Sequence, residues 1–135
     1  MNKGQKEPGK IKFALLGASK ISSQHLQAFK NLENESELVD VCDNNPKALE
    51  LISSSTSAYL HNNFESMLSE TKANCIVVTT PNGMHAEHAI MAAKAGYDVV
   101  IEKPMAIQLS QAEKMLKVFS DENKKLFVVK QMRFL

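Results

Sequence analysis

The sequence predicts an α/β protein built on one doubly wound parallel sheet of about six strands, with helices on both faces. Three observations predict it. Short apolar runs alternate with helix-periodic segments from residue 11 to residue 130, and strict alternation of β and α units implies a parallel sheet. The first apolar run ends on a glycine turn that opens a helix, Gly17 to Ser22. A later run, VVI, passes straight into the charged sequence Glu102-Lys103-Pro104. Right-handed crossovers leave few topologies for such a chain, and the doubly wound order leads them.

Each element has its own signal. Ile11–Leu16 reads as a buried strand because it is short, apolar and closed by Gly17. Residues 21–32 follow as a helix with Ile21, His25, Leu26, Phe29 and Leu32 on one face. Residues 37–42 (ELVDVC) form the second strand, closed by Asp43. Asn45-Pro46 starts the next helix, with Asn as N-cap and Pro in the first turn, where a missing N–H costs nothing. Residues 57–60 are a weak third strand, and Asn63 caps a short helix through Met67 and Leu68. Residues 75–79 (CIVVT) are the clearest strand, rich in β-branched side chains. An alanine-rich helix over 85–95 ends at Gly96, which suits a C-cap. Residues 98–101 make the fifth strand. Ser110 and Glu113 pair as a capping box for a helix buried through Ala112, Met115, Leu116 and Phe119. Residues 126–130 (LFVVK) close the series.

A chain of 135 residues suits one domain and can bury a core without disulfides or metal. Its net charge of +1 gives no bulk field for nucleic acid or an anionic membrane. No apolar run is long enough to span a bilayer, and Ile11–Leu16 is too short for a secretory signal. Cys42 and Cys75 both lie in apolar strands, as buried reduced thiols do, and no Cys/His spacing suggests a metal site. These features point to the cytoplasm. Residues 1–10, with Lys3, Lys6 and Lys10 among Gly and Pro, read as a disordered tail. The apolar ending Gln131 to Leu135 reads as the start of a further, carboxy-terminal domain.

Ligands of open α/β sheets lie beyond the carboxyl ends of the strands. At the first such end stand Gly17, Ala18, Ser19, Lys20 and Ile21. A helix N-terminus there offers free N–H groups to a pyrophosphate. The full G-x-G-x-x-G fingerprint is absent, since Ser19 and Ser22 occupy the later glycine positions. An ordinary βα turn is therefore the alternative. Asp43 ends the second strand, where a carboxylate accepts from an adenosine ribose and repels a 2′-phosphate, favouring NAD over NADP. The alternative is the start of a polar turn. Thr80-Pro81-Asn82 and His85 follow the fourth strand, with His85 either near a nicotinamide or structural. After the fifth, partly buried Lys103 would aim its ammonium into the crevice, bind a substrate hydroxyl and take part in proton exchange beside Glu102. A surface loop is the alternative. His61 and His88 carry no signal.

Together, the Gly17 turn, Asp43, the Thr80-Pro81-Asn82-x-x-His85 segment and Glu102-Lys103-Pro104 resemble the amino-terminal Rossmann domain of the Gfo/Idh/MocA oxidoreductase family. The likeness covers nearly all of 11–135. It implies NAD(P) binding, a catalytic role for Lys103, and a second domain that supplies most substrate contacts, an acid/base histidine and a homo-oligomer interface. IKFALLGASKIS, TTPNGMHAEHA, VVIEKPMA and LFVVKQMR look most like the WlbA-type branch. That branch oxidises the 3-hydroxyl of UDP-N-acetylglucosaminuronate with NAD in bacterial surface-polysaccharide pathways. The resemblance thus implies a sugar or sugar-nucleotide substrate, with Gln131 and Arg133 approaching it from the interdomain edge, and an isolated chain that binds NAD weakly without turnover. A non-catalytic nucleotide-binding module complete at 135 residues is a second reading. A methyltransferase is a third, for which Glu102-Lys103-Pro104 has no use. Phe127, Val129 and Phe134 are expected to leave an apolar edge that self-associates.

Overall fold

The computed structural model describes residues 9–130. Its elements are β1 (Ile11–Leu16), α1 (Ser22–Asn31), β2 (Ser36–Cys42), α2 (Pro46–Ile52), β3 (Tyr59–His61), α3 (Phe64–Glu70), β4 (Cys75–Val78), α4 (His85–Lys94), β5 (Asp98–Ile101), α5 (Leu109–Asp121) and β6 (Leu126–Val128). The six strands lie in the order β3-β2-β1-β4-β5-β6, and every neighbouring pair is parallel. The chain therefore winds outward from β1 to β3, crosses back to β4 and winds outward again. The reversal falls between β1 and β4, at the switch point where such sheets bind ligands.

Alternate strand residues point to opposite faces. Ala14, Leu16, Ile76, Val78, Val99 and Ile101 pack on one face with Met67, Ala89, Ala93, Met115 and Phe119 from α3, α4 and α5. Leu15, Val41 and Val77 pack on the other with Leu26, Phe29 and Leu49 from α1 and α2. Among the described residues, this face is covered over β3, β2, β1 and Val77 of β4; toward the other edge Val100 is half-buried and Phe127 is 53% exposed. Phe127 thus matches the expected apolar edge. Val129 is half-buried, and Phe134 lies outside the described residues.

The caps at Asn45 and Asn63 hold as expected. Asn45 accepts from the Lys47 N–H at 3.0 Å, and Asn63 from that of Ser66 at 2.9 Å. Gly96 ends α4 at φ +98°. The capping pair of α5 lies two residues earlier than expected. Gln111, not Glu113, reaches back to the N–H of Gln108 at 3.2 Å, so Ser110 falls inside the helix. Leu32 and Leu116 are 51% and 55% exposed, against their expected burial. Each continues a helical stripe past the sheet that covers the rest of it. Among the described residues, no helix is long and apolar enough to cross a membrane.

Candidate functional site

The turn after β1 is held by backbone rather than by side chains. Gly17 has φ +101°, and a Cβ placed on it would meet Thr79 C and O at 2.8 Å and Thr80 N at 2.9 Å. Only glycine lets the β1 and β4 ends approach this closely. The Thr79 hydroxyl reinforces the approach by donating to the carbonyls of Gly17 (2.8 Å) and Leu16 (3.1 Å). Immediately after, α1 begins with no side-chain cap on its first N–H groups. The Ser22 and Gln24 N–H groups bond to the carbonyls of Ser19 (2.9 Å) and Ile21 (3.1 Å), so the start of α1 offers chiefly the positive end of the helix dipole.

Two adjoining cavities run along this edge. One, of about 360 Å³, is lined by Gly17, Ser19, Asp43, Thr80 and Pro81 among others. The second, of about 260 Å³, is lined by Ile21, Asn82, His85 and Glu102 and shares Ser19, Thr79, Thr80 and Pro81 with the first. Shared walls make them one groove from the end of β2 to the end of β5. The backbone-lined turn sits at its middle, the carboxylate of Asp43 at one end and Glu102 at the other.

Several expected residues are engaged within the protein. Asp43 takes a backbone N–H on each oxygen, from Ala18 and from Asn45, both at 2.8 Å. Each carboxylate oxygen retains a second lone pair for a ribose hydroxyl. The Ser19 hydroxyl donates to the Thr79 carbonyl at 3.1 Å and so helps hold the turn. His85 is buried, with its ring nitrogens 2.6 Å from the Thr80 carbonyl oxygen and 2.7 Å from that of Pro104. It ties the loop after β4 to the loop after β5. Of the two readings its position allowed, the structural one describes these contacts, although the ring also lines the groove.

Glu102 is buried too, bound to His25 Nε2 at 2.7 Å and to the Lys103 N–H at 3.3 Å. Lys103 precedes a cis peptide bond to Pro104. Its side chain is exposed, without the partial burial expected of it, because among the described residues nothing stands over the β5 end of the groove. Lys20 is likewise exposed and outside both linings. Gln131 and Arg133 lie outside the described residues.

The structure adds groove residues that sequence reasoning missed: Phe64, Met84, His88, Asn44 and Asn45, together with Thr79. His88 accepts no role from local pattern, yet it pairs with the Thr80 hydroxyl at 2.9 Å and packs edge-on against Phe64. Its spacing of three from His85 was the available signal, since such residues share a helix face. Burial, the larger effect, and neighbouring His85 lower its pKa below the ordinary 6.5 against an opposing pull from Glu87. A neutral ring beside an apolar wall suits a base or ribose rather than a phosphate.

A sheet reversal, a turn that exposes backbone donors, and a carboxylate at the next strand end define a dinucleotide-binding α/β domain. Likeness to known proteins agrees and narrows the class. The Gfo/Idh/MocA family model, an oxidoreductase family with an NAD-binding Rossmann fold, matches residues 11–130. The chain belongs to that family, and its cofactor is NAD. The WlbA dehydrogenase of Chromobacterium violaceum, solved with NADH and UDP-GlcNAcA, is 40% identical with a TM-score of 0.90, over 92% of this chain and 36% of that one. The WlbA dehydrogenase of Bordetella pertussis, solved with the same two ligands, is 39% identical with a TM-score of 0.90, over 93% and 38%. D-glucoside 3-dehydrogenase of Escherichia coli is 32% identical over 78% of this chain and 30% of its own length. The chain thus spans about a third of the relatives it matches.

Proposed function

We propose that this chain is the NAD-binding part of a dehydrogenase acting on a sugar or sugar nucleotide, with oxidation of a UDP-sugar acid at its 3-hydroxyl as the best-supported reaction. The observation that carries the reading is the groove. It joins a backbone-lined turn and a ribose-type carboxylate to Glu102, the residue before Lys103, on one sheet edge, in a chain 40% identical to a dehydrogenase solved with NADH and UDP-GlcNAcA.

NAD, when bound, supplies the hydride acceptor. Gly17 lets the diphosphate approach the backbone, and the positive end of the α1 dipole offsets part of its charge. Asp43 accepts from the ribose hydroxyls and repels the extra phosphate of NADP. Thr80, Pro81 and Asn82 shape the far half of the groove, and His85 fixes them against the β5 loop. Lys103 binds the substrate hydroxyl and carries its proton away as the carbon is oxidised. A further domain supplies the rest of the substrate site. Without that domain the chain binds nucleotide but turns over no sugar, because positioning provides much of the rate. The same domain supports the oligomer, and the protein works in the cytoplasm.

Calorimetric titration of the chain with NAD and NADP tests this. NAD binds, NADP binds at least about tenfold more weakly because two anions meet at Asp43, and Asp43→Ala removes most of that difference. Failure of both nucleotides to bind at millimolar concentration defeats the reading.

A further inference from the structure

We infer that His25 is a positioning residue for Lys103, acting through Glu102 at the nicotinamide end of the groove. The inference rests on the dinucleotide reading above but concerns a contact that no part of that reading uses. His25 lies on α1, the helix whose first turn faces the diphosphate, and Glu102 directly precedes Lys103. The two residues are 77 apart in sequence, and their side chains are 16% and 11% exposed. A carboxylate only accepts, so the hydrogen on His25 Nε2 points at Glu102 Oε1, 2.7 Å away. The other oxygen, Oε2, takes the Lys103 N–H. One carboxylate thus bridges the diphosphate-binding helix and the backbone from which Lys103 projects.

The bridge matters because little else fixes that backbone. Lys103 and Pro104 are exposed. The Glu102 N–H is bonded to Val78 O at 3.1 Å, which fixes the strand end before Lys103 but not the peptide after it. On the far side, the Pro104 carbonyl is held by His85. Lys103 is therefore slung between two anchors, both histidines: His25 acts through Glu102 on one side, and His85 holds the Pro104 carbonyl on the other. With one protein N–H on each oxygen of Glu102, the carboxylate is placed to orient Lys103. A buried hydrogen bond to a charged group is among the stronger single contacts available for holding a loop.

The test uses NADH and ADP-ribose, which lacks the nicotinamide, on the wild-type chain, His25→Ala and His25→Gln. Glutamine keeps an N–H donor. His25→Ala should weaken NADH about tenfold, the scale of one hydrogen bond to a charged group. ADP-ribose should stay within about twofold, as for an independent site. His25→Gln should restore NADH. Equal losses for both ligands, or no restoration by glutamine, overturn the inference, because the histidine then only supports α1. Amide NMR of the nucleotide-free chain decides the point separately. The Lys103 amide should shift in His25→Ala and return in His25→Gln, and an unmoved resonance overturns the positioning role. Should the wild-type chain bind neither nucleotide, the dinucleotide reading falls, while the Lys103 amide still decides whether His25 positions that backbone.

Discussion

Replacing Gly17 by alanine should destabilise this protein far more than the same change at Gly96, and the difference can be worked from two backbone angles and three distances. Both glycines have positive φ, +101° and +98°. An alanine at either site pays for that conformation, a strain of about 1–3 kcal/mol. At Gly96 nothing lies within 4 Å of the added Cβ, so strain is the whole cost. At Gly17 the Cβ lands 2.8 Å from the carbonyl carbon and oxygen of Thr79. That is peptide backbone, held by the Thr79 N–H bond to Leu16 O, and it has no rotamer into which to retreat. Overpacking adds about 1–3 kcal/mol. Gly17→Ala should therefore cost about 4 kcal/mol and Gly96→Ala about 2 kcal/mol. In a domain of this size the corresponding drops in Tm are about 15 °C and about 8 °C. Urea unfolding followed by circular dichroism measures both. Equal losses, within about 0.5 kcal/mol, would refute the idea that a backbone contact, rather than φ alone, reserves position 17 for glycine.

Burial raises the thiol of Cys42 to about 11, helped by Asp43, and that of Cys75 to about 12, helped by Asp98. Both should resist a disulfide reagent in the folded chain at mildly alkaline pH and react together on unfolding; fast labelling of either native thiol contradicts this. His88, with a pKa held below 6.5 by burial, stays neutral in the fold while the unfolded chain takes up its proton. Stability from this residue is complete above about pH 6.5 and declines as pH falls below it. A His88→Asn variant should show a shallower fall of Tm between neutral and mildly acid pH, and an unchanged slope would remove His88 as the cause. Phe127, 53% exposed on the uncovered sheet face, should promote self-association. Sedimentation at high concentration should show species above monomer that Phe127→Ser reduces, and a wild-type chain that stays monomeric would count against it.

The fold was readable because its signals are local. Gly17, the Asn45-Pro46 start, Asn63, Gly96 and the CIVV run each announce an element within a few residues, and parallel order then follows from alternation. Asp43 was readable because strand ends are fixed points of this architecture. What escaped depends on contacts between distant segments. His25 meets Glu102 across 77 residues. His61 binds Asp40 at 2.7 Å and anchors β3 to β2 by a side-chain bond that no period reveals. Helical periodicity placed Leu116 on its helix, and Leu32 one residue past the end of α1, but neither relative to the sheet's border, beyond which an apolar stripe meets water. Ser110 and Glu113 fit a capping pattern, yet the helix starts earlier, at Leu109, which puts Gln111 at the position that reaches back to the N–H of Gln108.

The half-covered face of the sheet has a dynamic consequence. In β5, Val99 and Ile101 sit under helices while Asp98 and Val100, facing the other way, keep contact with solvent. This strand delivers Glu102 and Lys103, and among the described residues its second side is only partly covered. Its amides should exchange with deuterium sooner than those of β1, and β6, wetter still, sooner again. The end of the groove that carries Glu102 is thereby mounted on strands less insulated than β1. Rigidity there answers to what lies beneath the sheet as much as to what binds above it.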